Sequence, residues 1–249
     1  MSDWNALAGE LDAWSAAGRT ASLWWRDDDA TAPTPALDRL LEIRRRHGIG
    51  IALAVIPARA VPALAECLAR EQDVVAWQHG WAHMNHAPVG QSKAELGPHR
   101  PAAFILGELG RGWLTLDRVL GADSWRHVLV PPHNRIGAAV TGALASAGYV
   151  GLSAGLGPRP AGATHIVNAH VDIMNWTTRG FAGEAATLGD LVTSLATHRN
   201  GPADATEPVG FLTHHLAHDE AAWRFTDAAL GALKTHPAVR FIHPLALFP

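Results

Sequence analysis

The sequence predicts an α/β fold in which parallel strands form a barrel with helices on the outside. Apolar runs of strand length alternate with segments of helix length about seven or eight times along the 249 residues, which is typical of repeated β–α units. Polar clusters recur at the ends of the apolar runs, where parallel barrels carry their reactive groups. No change in composition and no linker divides the chain, so we expect residues 1–249 to form one domain.

In the first half of the chain, residues that start or stop an element bound most segments. Leu7, Leu11 and Trp14 share one face of the first predicted helix, and Pro35 and Gly48 delimit the second. The run 49–56 is apolar throughout, as expected of a strand buried on both faces. The predicted elements are helix 4–17, strand 21–26, a helix from the prolines to 47, strand 49–56, helix 62–70, strand 74–78 and a broken, mostly helical stretch 93–120.

The second half continues the alternation with shorter apolar runs. Pro131 and Pro132 end one strand, and Gly148 ends the following helix. The predicted elements are strand 128–130, helix 136–147, strands 149–153 and 165–173, helix 188–198, loop 201–207, strand 209–213, helix 220–233 and a last strand 239–242.

Composition excludes several classes of function. The net charge is −3 and basic residues are dispersed, so nucleic acid is not an expected partner. The single cysteine, Cys67, excludes an intramolecular disulfide and a thiolate metal cluster. Residues 1–18 lack the order of a secretion signal, and no apolar run reaches the ~18 residues needed for a membrane span. We therefore expect a cytoplasmic protein without membrane insertion, whose oligomeric state the sequence does not indicate.

The most informative cluster is the run of Asp27, Asp28 and Asp29 at the end of the first strand. One aspartate there could cap the helix that follows Pro33. Three adjacent carboxylates exceed what a cap needs, and they repel one another unless a cation or shifted pKa values stabilise them. The run therefore favours a functional site.

Two histidines follow the third strand at a spacing of four. On a helical turn this spacing would place His79 and His83 on one face, where they could share a metal ion. Zinc and related ions accept imidazole nitrogens together with a carboxylate oxygen and leave positions open for water. Two histidines that only line or cap a loop are the alternative. Further polar groups follow later strands: His133, Asn134 and Arg135, then His170 and Asp172, then His214 and His215.

In their order along the chain, five short motifs resemble those of the polysaccharide deacetylases, the NodB-homology group also called carbohydrate esterase family four. The resemblance extends from Trp24 to His215. The motifs are Asp28-Asp29-Ala30, His79-Gly80-Trp81-Ala82-His83, Val130-Pro131-Pro132-His133, Asp172-Ile173-Met174-Asn175-Trp176 and Leu212-Thr213-His214. The resemblance implies a distorted barrel of about seven parallel strands, in agreement with the alternation above.

The resemblance also implies roles for individual residues. Asp29, His79 and His83 would bind a divalent metal ion, most plausibly Zn²⁺, with Co²⁺, Ni²⁺ or Mn²⁺ as alternatives. Asp28 would be the general base and His214 the general acid. Because residues alternate sides along an extended strand, the end of the first strand must curl for neighbouring aspartates to face one pocket.

The sequence departs from the family pattern at several supporting positions. Val130 stands where the family has an arginine, so Arg135 is expected to reach the base instead. Asn175 replaces an aspartate that orients the acid and is expected to orient His214. Gly80 lacks the usual hydroxyl, and Asp27 adds a third acid to the expected pocket.

The remaining candidates are expected to contact substrate or to support the ligands. They are Trp81, His86, Pro132, His133, Asp172 and Trp176. His86 could also be a metal ligand, and His215 is expected to be structural because its side chain points away from that of His214 on an extended strand.

The predicted function is metal-dependent removal of an acyl group, typically acetyl, from an N-acylated sugar or glycan precursor. Two alternatives stay open at this point. One is a metal-dependent hydrolase of another small C–N amide substrate, and the other is a sugar-binding barrel without catalysis.

Overall fold

A computed structural model describes residues 3–155, 165–201 and 206–248. The helices are α1 (Asp3–Ala16), α2 (Pro35–His47), α3 (Pro62–Leu68), α4 (Ala102–Leu120), α5 (Ala138–Ala143), α6 (Glu184–Asn200) and α7 (Glu220–Thr235). The strands are β1 (Ala21–Ala30), β2 (Ile51–Val55), β3 (Val74–His79), β4 (Trp125–Val130), β5 (Gly151–Leu152), β6 (His165–Ile166), β7 (Ala169–Asp172), β8 (Met174–Asn175), β9 (Gly180–Phe181), β10 (Val209–Thr213) and β11 (Val239–Phe241).

The main sheet confirms the predicted distorted barrel of parallel strands. Its order is β6-β5-β4-β3-β2-β1-β10-β7, and every pairing along it is parallel. The N–H of Ala169 donates to the carbonyl of Ala154 (2.8 Å), which links β7 back to the segment after β5. β11 pairs with the start of β1, and β8 and β9 form a separate antiparallel hairpin. Parallel order places the carboxyl ends of β1, β3, β4, β7 and β10 at the same end of the barrel.

Pro35 begins α2 and Gly48 ends it, as predicted, and Thr34, rather than one of the three aspartates, caps its first turn. The Thr34 hydroxyl accepts a hydrogen bond from the Leu37 N–H (3.0 Å), which satisfies one free donor of the first turn. Gly48 closes the helix in the left-handed conformation (φ 57°), which a side chain would disfavour.

The two faces of β1 to β4 bury different clusters. Trp25, Leu53 and the α1 residues Leu7, Leu11 and Trp14 belong to the larger core between sheet and helices. Trp24, Ala54, Trp77, Val130 and Phe248 belong to a second cluster on the other face. Strict alternation along β1 therefore places Trp24, Arg26 and Asp28 on the inner face of the barrel.

Several element boundaries differ from the prediction; α6, for example, begins at Glu184 and not at 188, and α5 ends at Ala143 and not at 147. β1 continues through the three aspartates to Ala30. The stretch 165–173 is divided between β6 and β7, because the N–H of Asn168 donates to the carboxylate of Glu207 (2.9 Å) and not to a neighbouring strand. The stretch 93–120 becomes helical only after Pro101, at α4. Of the predicted loop 201–207, residues 202–205 lie outside the described part of the chain.

Of the helices that the structure describes, none combines the length and apolar character that crossing a lipid bilayer requires.

Candidate metal centre and active-site cleft

A cleft of about 1160 Å³ opens at the carboxyl end of the barrel. Among the described residues, its lining is polar except for Trp176 and Ala217. The other lining residues are Asp28, Asp29, His79, His83, Asn85, Gln91, Ser92, Lys93, His133, Asn134, Arg135, Asp172, Thr177, Arg179 and His214. The polar strand ends singled out in the sequence thus converge, with the exceptions described below.

Asp29, His79 and His83 meet at the base of this cleft. The Nε2 atoms of both histidines lie 3.3 Å from Asp29 Oδ1. Their potential ligand atoms all lie within 4.8 Å of one another, so the three side chains could hold one metal ion. Asp29 and the histidines are distant in sequence but close in space, because β1 and β3 lie on either side of β2 in the sheet.

The chemistry of this group fits a divalent cation. The carbonyl of Val130 lies 3.1 Å from His79 Nδ1, so the ring N–H is used there and the Nε2 lone pair faces Asp29. Asp29 Oδ1 is buried and accepts no hydrogen bond within the described residues. Two electron-rich nitrogens and a carboxylate oxygen, turned toward one point, repel one another unless a positive charge lies between them.

The electrostatics of Asp29 and His83 agree with this interpretation. Burial lowers the pKa of His79, but the negative charges of Asp28 and Asp29 outweigh burial and raise it, as expected of a ring that faces two carboxylates. Burial raises the pKa of Asp29, but its interactions with His79, His214 and His83 outweigh burial and lower the pKa well below its usual range. Burial and the neighbouring His79 lower the pKa of His83. Asp29 is therefore ionised and His83 is drawn toward its neutral form, the two protonation states that metal ligation needs.

A local break in β1 lets neighbouring aspartates face the same cleft. Asp29 has a left-handed backbone (φ 75°), and the pairing of β1 with β2 shifts register between Asp27 and Ala30. This irregularity reverses the alternation for one residue, so that Asp28 and Asp29 both line the cleft. It is the curl that the sequence required.

Asp27 does not line the cleft, in contrast to the expected third pocket acid. It is fully buried on the other face of β1, where His215 Nδ1 approaches its Oδ1 to 2.5 Å. Its Oδ2 accepts hydrogen bonds from the Thr213 hydroxyl (2.6 Å) and the His215 N–H (3.0 Å). Burial raises the pKa of Asp27, but the charge of His215 and these hydrogen bonds lower it overall. Asp27 therefore joins the end of β10 to β1. His215 has the structural role that the sequence predicted for it.

Asp28 is paired with Arg26, and Arg135 does not reach it. Arg26 Nε lies 2.9 Å from Asp28 Oδ1, and Nη2 donates to Oδ2 (3.1 Å). The guanidinium is fully buried and also donates to Asn134 Oδ1 (2.7 Å) and to the carbonyl and hydroxyl of Ser153. Arg135 is exposed and donates only to backbone carbonyls among the described residues. Sequence reasoning missed Arg26, although its spacing of two from Asp28 on a strand predicts a shared face.

Asp172, and not Asn175, lies next to His214. Its Oδ1 is 3.5 Å from His214 Nδ1, and its Oδ2 accepts from the Trp176 ring N–H (2.8 Å). His214 Nε2 lies 3.9 Å from Asp28 Oδ2 on the cleft side. The Asn175 side chain is exposed and accepts from the N–H groups of Thr177 and Thr178, because it shapes the turn between β8 and β9. A carboxylate therefore faces the candidate acid after all.

His79 and His83 do not lie on a helical turn. His79 ends β3, and the chain turns sharply through left-handed residues at Gly80 (φ 56°) and His83 (φ 57°). The buried Glu95 holds this loop by accepting hydrogen bonds from the N–H groups of Trp81 (3.1 Å), Ala82 (2.7 Å) and Met84 (3.4 Å). Sequence reasoning missed Glu95, because the stretch around it resembled a helix and carried no sign of burial.

Glycine at position 80 follows from the same contacts. A Cβ there would overlap the Glu95 carboxylate and would lie 2.6 Å from the ring of Pro132. A side chain at position 80 would therefore compete for the space that the Glu95 carboxylate occupies.

Pro132, Trp81 and His86 lie outside the cleft lining. Pro132 is buried against Gly80, the Trp81 ring lies 5.3 Å from the Arg111 guanidinium, and the His86 N–H donates to the carbonyl of Ala94 (2.9 Å). Neither substrate contact nor metal ligation by His86 has support in the described geometry.

His133 and Trp176 do line the cleft. The rings of His133 and His83 contact edge to face with centroids 4.5 Å apart. Burial and the charges of His83 and His79 lower the pKa of His133 to about 4, so its ring is neutral at pH 7. Trp176 is half exposed, and its ring contacts the His214 ring at 4.6 Å. Both side chains therefore form part of the cleft wall, beside His83 and His214 respectively.

A second group, His170, His198 and Glu207, also has ligand atoms within 4.8 Å of one another. Its chemistry differs, because His170 Nδ1 accepts a hydrogen bond from the Gly210 N–H (2.9 Å). The neutral His170 ring therefore carries its proton on Nε2, which faces Glu207 Oε2 at 3.8 Å. The group lies toward the amino ends of β7 and β10, so His170 does not line the cleft as its place after an apolar run suggested. We interpret it as a structural cluster near the amino ends of these two strands.

Replacement of Gly80 by serine should destabilise the protein by about 1–3 kcal/mol through overpacking and should weaken metal binding through displacement of Glu95. Gly18→Ser is the matched control, because Gly18 has a similar backbone (φ 64°) and no atom within 4 Å of its Cβ position. Urea unfolding and metal titration of both variants test this. Equal stability of the two variants would show that the overlap at position 80 is relieved without cost.

Replacement of Arg26 by methionine should cost about 3–5 kcal/mol of unfolding free energy, since it leaves the buried Asp28 carboxylate unpaired. The double variant Arg26→Met/Asp28→Asn should be less destabilised than the sum of the two single variants, by at least about 1 kcal/mol. Arg46→Met, which removes an exposed pair with Asp227, is the control and should cost at most about 1 kcal/mol. Additive losses at positions 26 and 28 would contradict the pairing.

No protein-family model and no curated protein matches the sequence. Solved structures do match it. A family 4 acetyl xylan esterase from Clostridium thermocellum in complex with a cobalt ion is 14% identical, with a TM-score of 0.55 and coverage of 91% of this chain and 90% of that one. A family 4 carbohydrate esterase from Streptomyces lividans in complex with acetate is 16% identical, with a TM-score of 0.53 and coverage of 88% and 90%.

A third similar structure is a mutant of a CE4 family pseudoenzyme with restored enzymatic activity. It is 14% identical, with a TM-score of 0.58 and coverage of 92% of this chain and 68% of that one. At these identities the likeness concerns the fold. The chain has the barrel fold of the family 4 carbohydrate esterases, as the five motifs implied.

Proposed function

We propose that this protein is a divergent polysaccharide-deacetylase homologue that hydrolyses the amide of an N-acylated sugar or glycan precursor with a divalent metal ion. The observation that carries the proposal is the convergence of Asp29, His79 and His83 on one point at the base of a polar cleft. A cleft lined by amide, hydroxyl and charged groups suits a substrate rich in hydroxyls better than an apolar one.

The three ligands would hold the ion, with Zn²⁺ our first expectation and Co²⁺, Ni²⁺ or Mn²⁺ as alternatives. When bound, such an ion polarises a carbonyl and lowers the pKa of coordinated water from 15.7 to ~7. The cobalt ion in the Clostridium thermocellum esterase is consistent with an ion of this class.

Asp28 is the proposed general base. It lines the cleft beside the ligand Asp29, and Arg26 holds both of its oxygens from the interior of the barrel. The guanidinium fixes the orientation of the carboxylate while leaving its cleft side open to take a proton from attacking water.

His214 is the proposed general acid. Its Nδ1 faces the Asp172 carboxylate and its Nε2 faces the cleft near Asp28. Asp172 stabilises the charged imidazolium, which can then donate its Nε2 proton to the leaving amine. An unprotonated amide nitrogen leaves poorly, so this donation is needed for turnover.

The geometry weakens the two alternatives to different extents. Val130 stands where the family motif has an arginine that supports the base. In this chain, Arg26 on β1 supplies a guanidinium beside Asp28 instead. Asn175 stands where the family motif has an aspartate that orients the acid. In this chain, the Asp172 carboxylate faces His214 instead. A barrel that only binds sugar has no need of either pair. Another small amide substrate stays open, since it requires the same catalytic groups.

Alanine at His79 should abolish stoichiometric metal content and hydrolysis together, because it removes a ligand. His86→Ala, which lies outside the cleft, is the control and should retain both. Metal analysis of the purified proteins, paired with acetate release from N-acetylglucosamine and its oligomers, tests this. Full metal content in His79→Ala would remove the proposed centre, and metal retention with no hydrolysis of any acylated substrate by the wild type would favour the binding barrel.

Asp172→Asn should lower kcat by about 10²-fold or more, within the range for loss of acid–base catalysis, with metal content unchanged. Asn175→Ala should stay near wild type, since its side chain serves only the turn. The split between kcat and KM distinguishes loss of catalysis from loss of structure, because kcat should fall while KM stays near the wild-type value. A larger loss in Asn175→Ala than in Asp172→Asn would reverse the assignment.

A further inference from the structure

Three basic side chains line the outer part of the cleft without an acidic partner. Lys93 lies in the loop that follows the histidine ligands, Arg135 follows β4, and Arg179 lies in the turn between β8 and β9. All three are exposed. In the described parts of the chain none of them forms an ion pair, and the Arg135 guanidinium donates only to the carbonyls of Lys93 (3.1 Å) and His133 (3.4 Å).

The carboxylates of the cleft cannot balance these charges, because each already has a partner. Asp28 is paired with the buried Arg26. Asp172 accepts from the Trp176 ring and faces His214. Asp29 is the proposed metal ligand, and a bound divalent ion would add positive charge to the cleft. The outer cleft is therefore cationic beyond what the protein compensates.

Several arginines elsewhere on the surface are matched by acids. Arg39 pairs with Glu220, and Arg199 pairs with Glu10. The three cleft cations come from three separate segments and point into one cavity, which concentrates their field on whatever binds there.

Resting on the function proposed above, we infer that the natural substrate carries an anionic group, a phosphate or a carboxylate, besides its N-acyl group. The anion binds Lys93, Arg135 and Arg179 while the acyl amide lies over the metal ligands. Guanidinium groups bind either anion through paired, charge-assisted hydrogen bonds, and the lysine ammonium adds a compact charge. A phosphorylated or acidic N-acetyl sugar has both features.

Binding to metal-loaded protein tests this without requiring turnover. The probes are N-acetylglucosamine, N-acetylglucosamine 6-phosphate and N-acetylmuramic acid, measured by calorimetry at low and high salt. We expect at least one anionic sugar to bind about tenfold or more tightly than the neutral one, the factor of one charge-assisted hydrogen bond. The preference should shrink at high salt. The tighter of the two anionic probes identifies phosphate or carboxylate as the group.

The variant Arg135→Gln/Arg179→Gln should lose the preference while keeping the metal. The control is Arg118→Gln, which removes one positive charge from the exposed face of α4 outside the cleft. This variant should keep the preference for the anionic sugar. The single variants Lys93→Gln and Arg179→Gln guard against a structural effect of the double variant, because they leave the Arg135 hydrogen bonds to the backbone in place. Each should weaken the preference for the anionic sugar. No preference in the wild type would overturn the inference, and so would a preference that survives in the double variant, because the anion would then be bound by the metal.

Acetate release from the same three sugars separates this inference from the proposed function. Equal release from neutral and anionic sugars, without a binding preference, would sustain the hydrolase and overturn the anion site. A binding preference that depends on Arg135 and Arg179, without release from any sugar, would sustain the anion site and contradict the hydrolase.

Discussion

Three consecutive carboxylates at the end of one buried strand can coexist only if each has its own partner. Asp27 is bound by His215 and Thr213, Asp28 by Arg26, and Asp29 faces two imidazole nitrogens. The partners of Asp27 join β10 to β1, so the same contact that neutralises one charge brings the neighbouring His214 to the cleft. Relief of charge repulsion and assembly of the site are thus the same set of interactions.

Strain in the backbone is concentrated where these charges meet. Within the described chain, six non-glycine residues have left-handed φ values, and all but Asp73 line the cleft. The five that line the cleft are Asp29, His83, His133, Asn134 and Arg179. Such conformations cost on the order of 1–3 kcal/mol each and persist where the surroundings hold them. Glu95 holds the loop around His83 and Arg26 holds Asn134, and a metal ion bound to Asp29 and His83 would add to that constraint.

The sequence was sufficient for the fold and for the convergence of Asp29, His79 and His83, because strand alternation and the order of motifs report on the whole chain. It was insufficient for the supports. Arg26 could have been predicted, since a charged residue two positions from Asp28 in an apolar strand lies on the same face as Asp28. Glu95 was not, because its burial depends on how the loop after β3 packs. Asn175 was preferred over Asp172 by motif position, and only the turn between β8 and β9 shows which of the two faces His214.

The supports also show why position in a motif is a weaker guide than geometry. A guanidinium beside the candidate base can come from β4, as the family pattern places it, or from β1, as here, since both strands present side chains to the same interior. Val130 belongs to the cluster on the inner face, and Arg26 shares that face by strand alternation, so position 130 contributes apolar packing while position 26 contributes the charge beside Asp28. The buried carboxylate of Asp28 requires a positive group in contact with it, and the strand that supplies this group is secondary. A chain can therefore lose recognisable similarity at a motif while it retains the electrostatics that the motif provided.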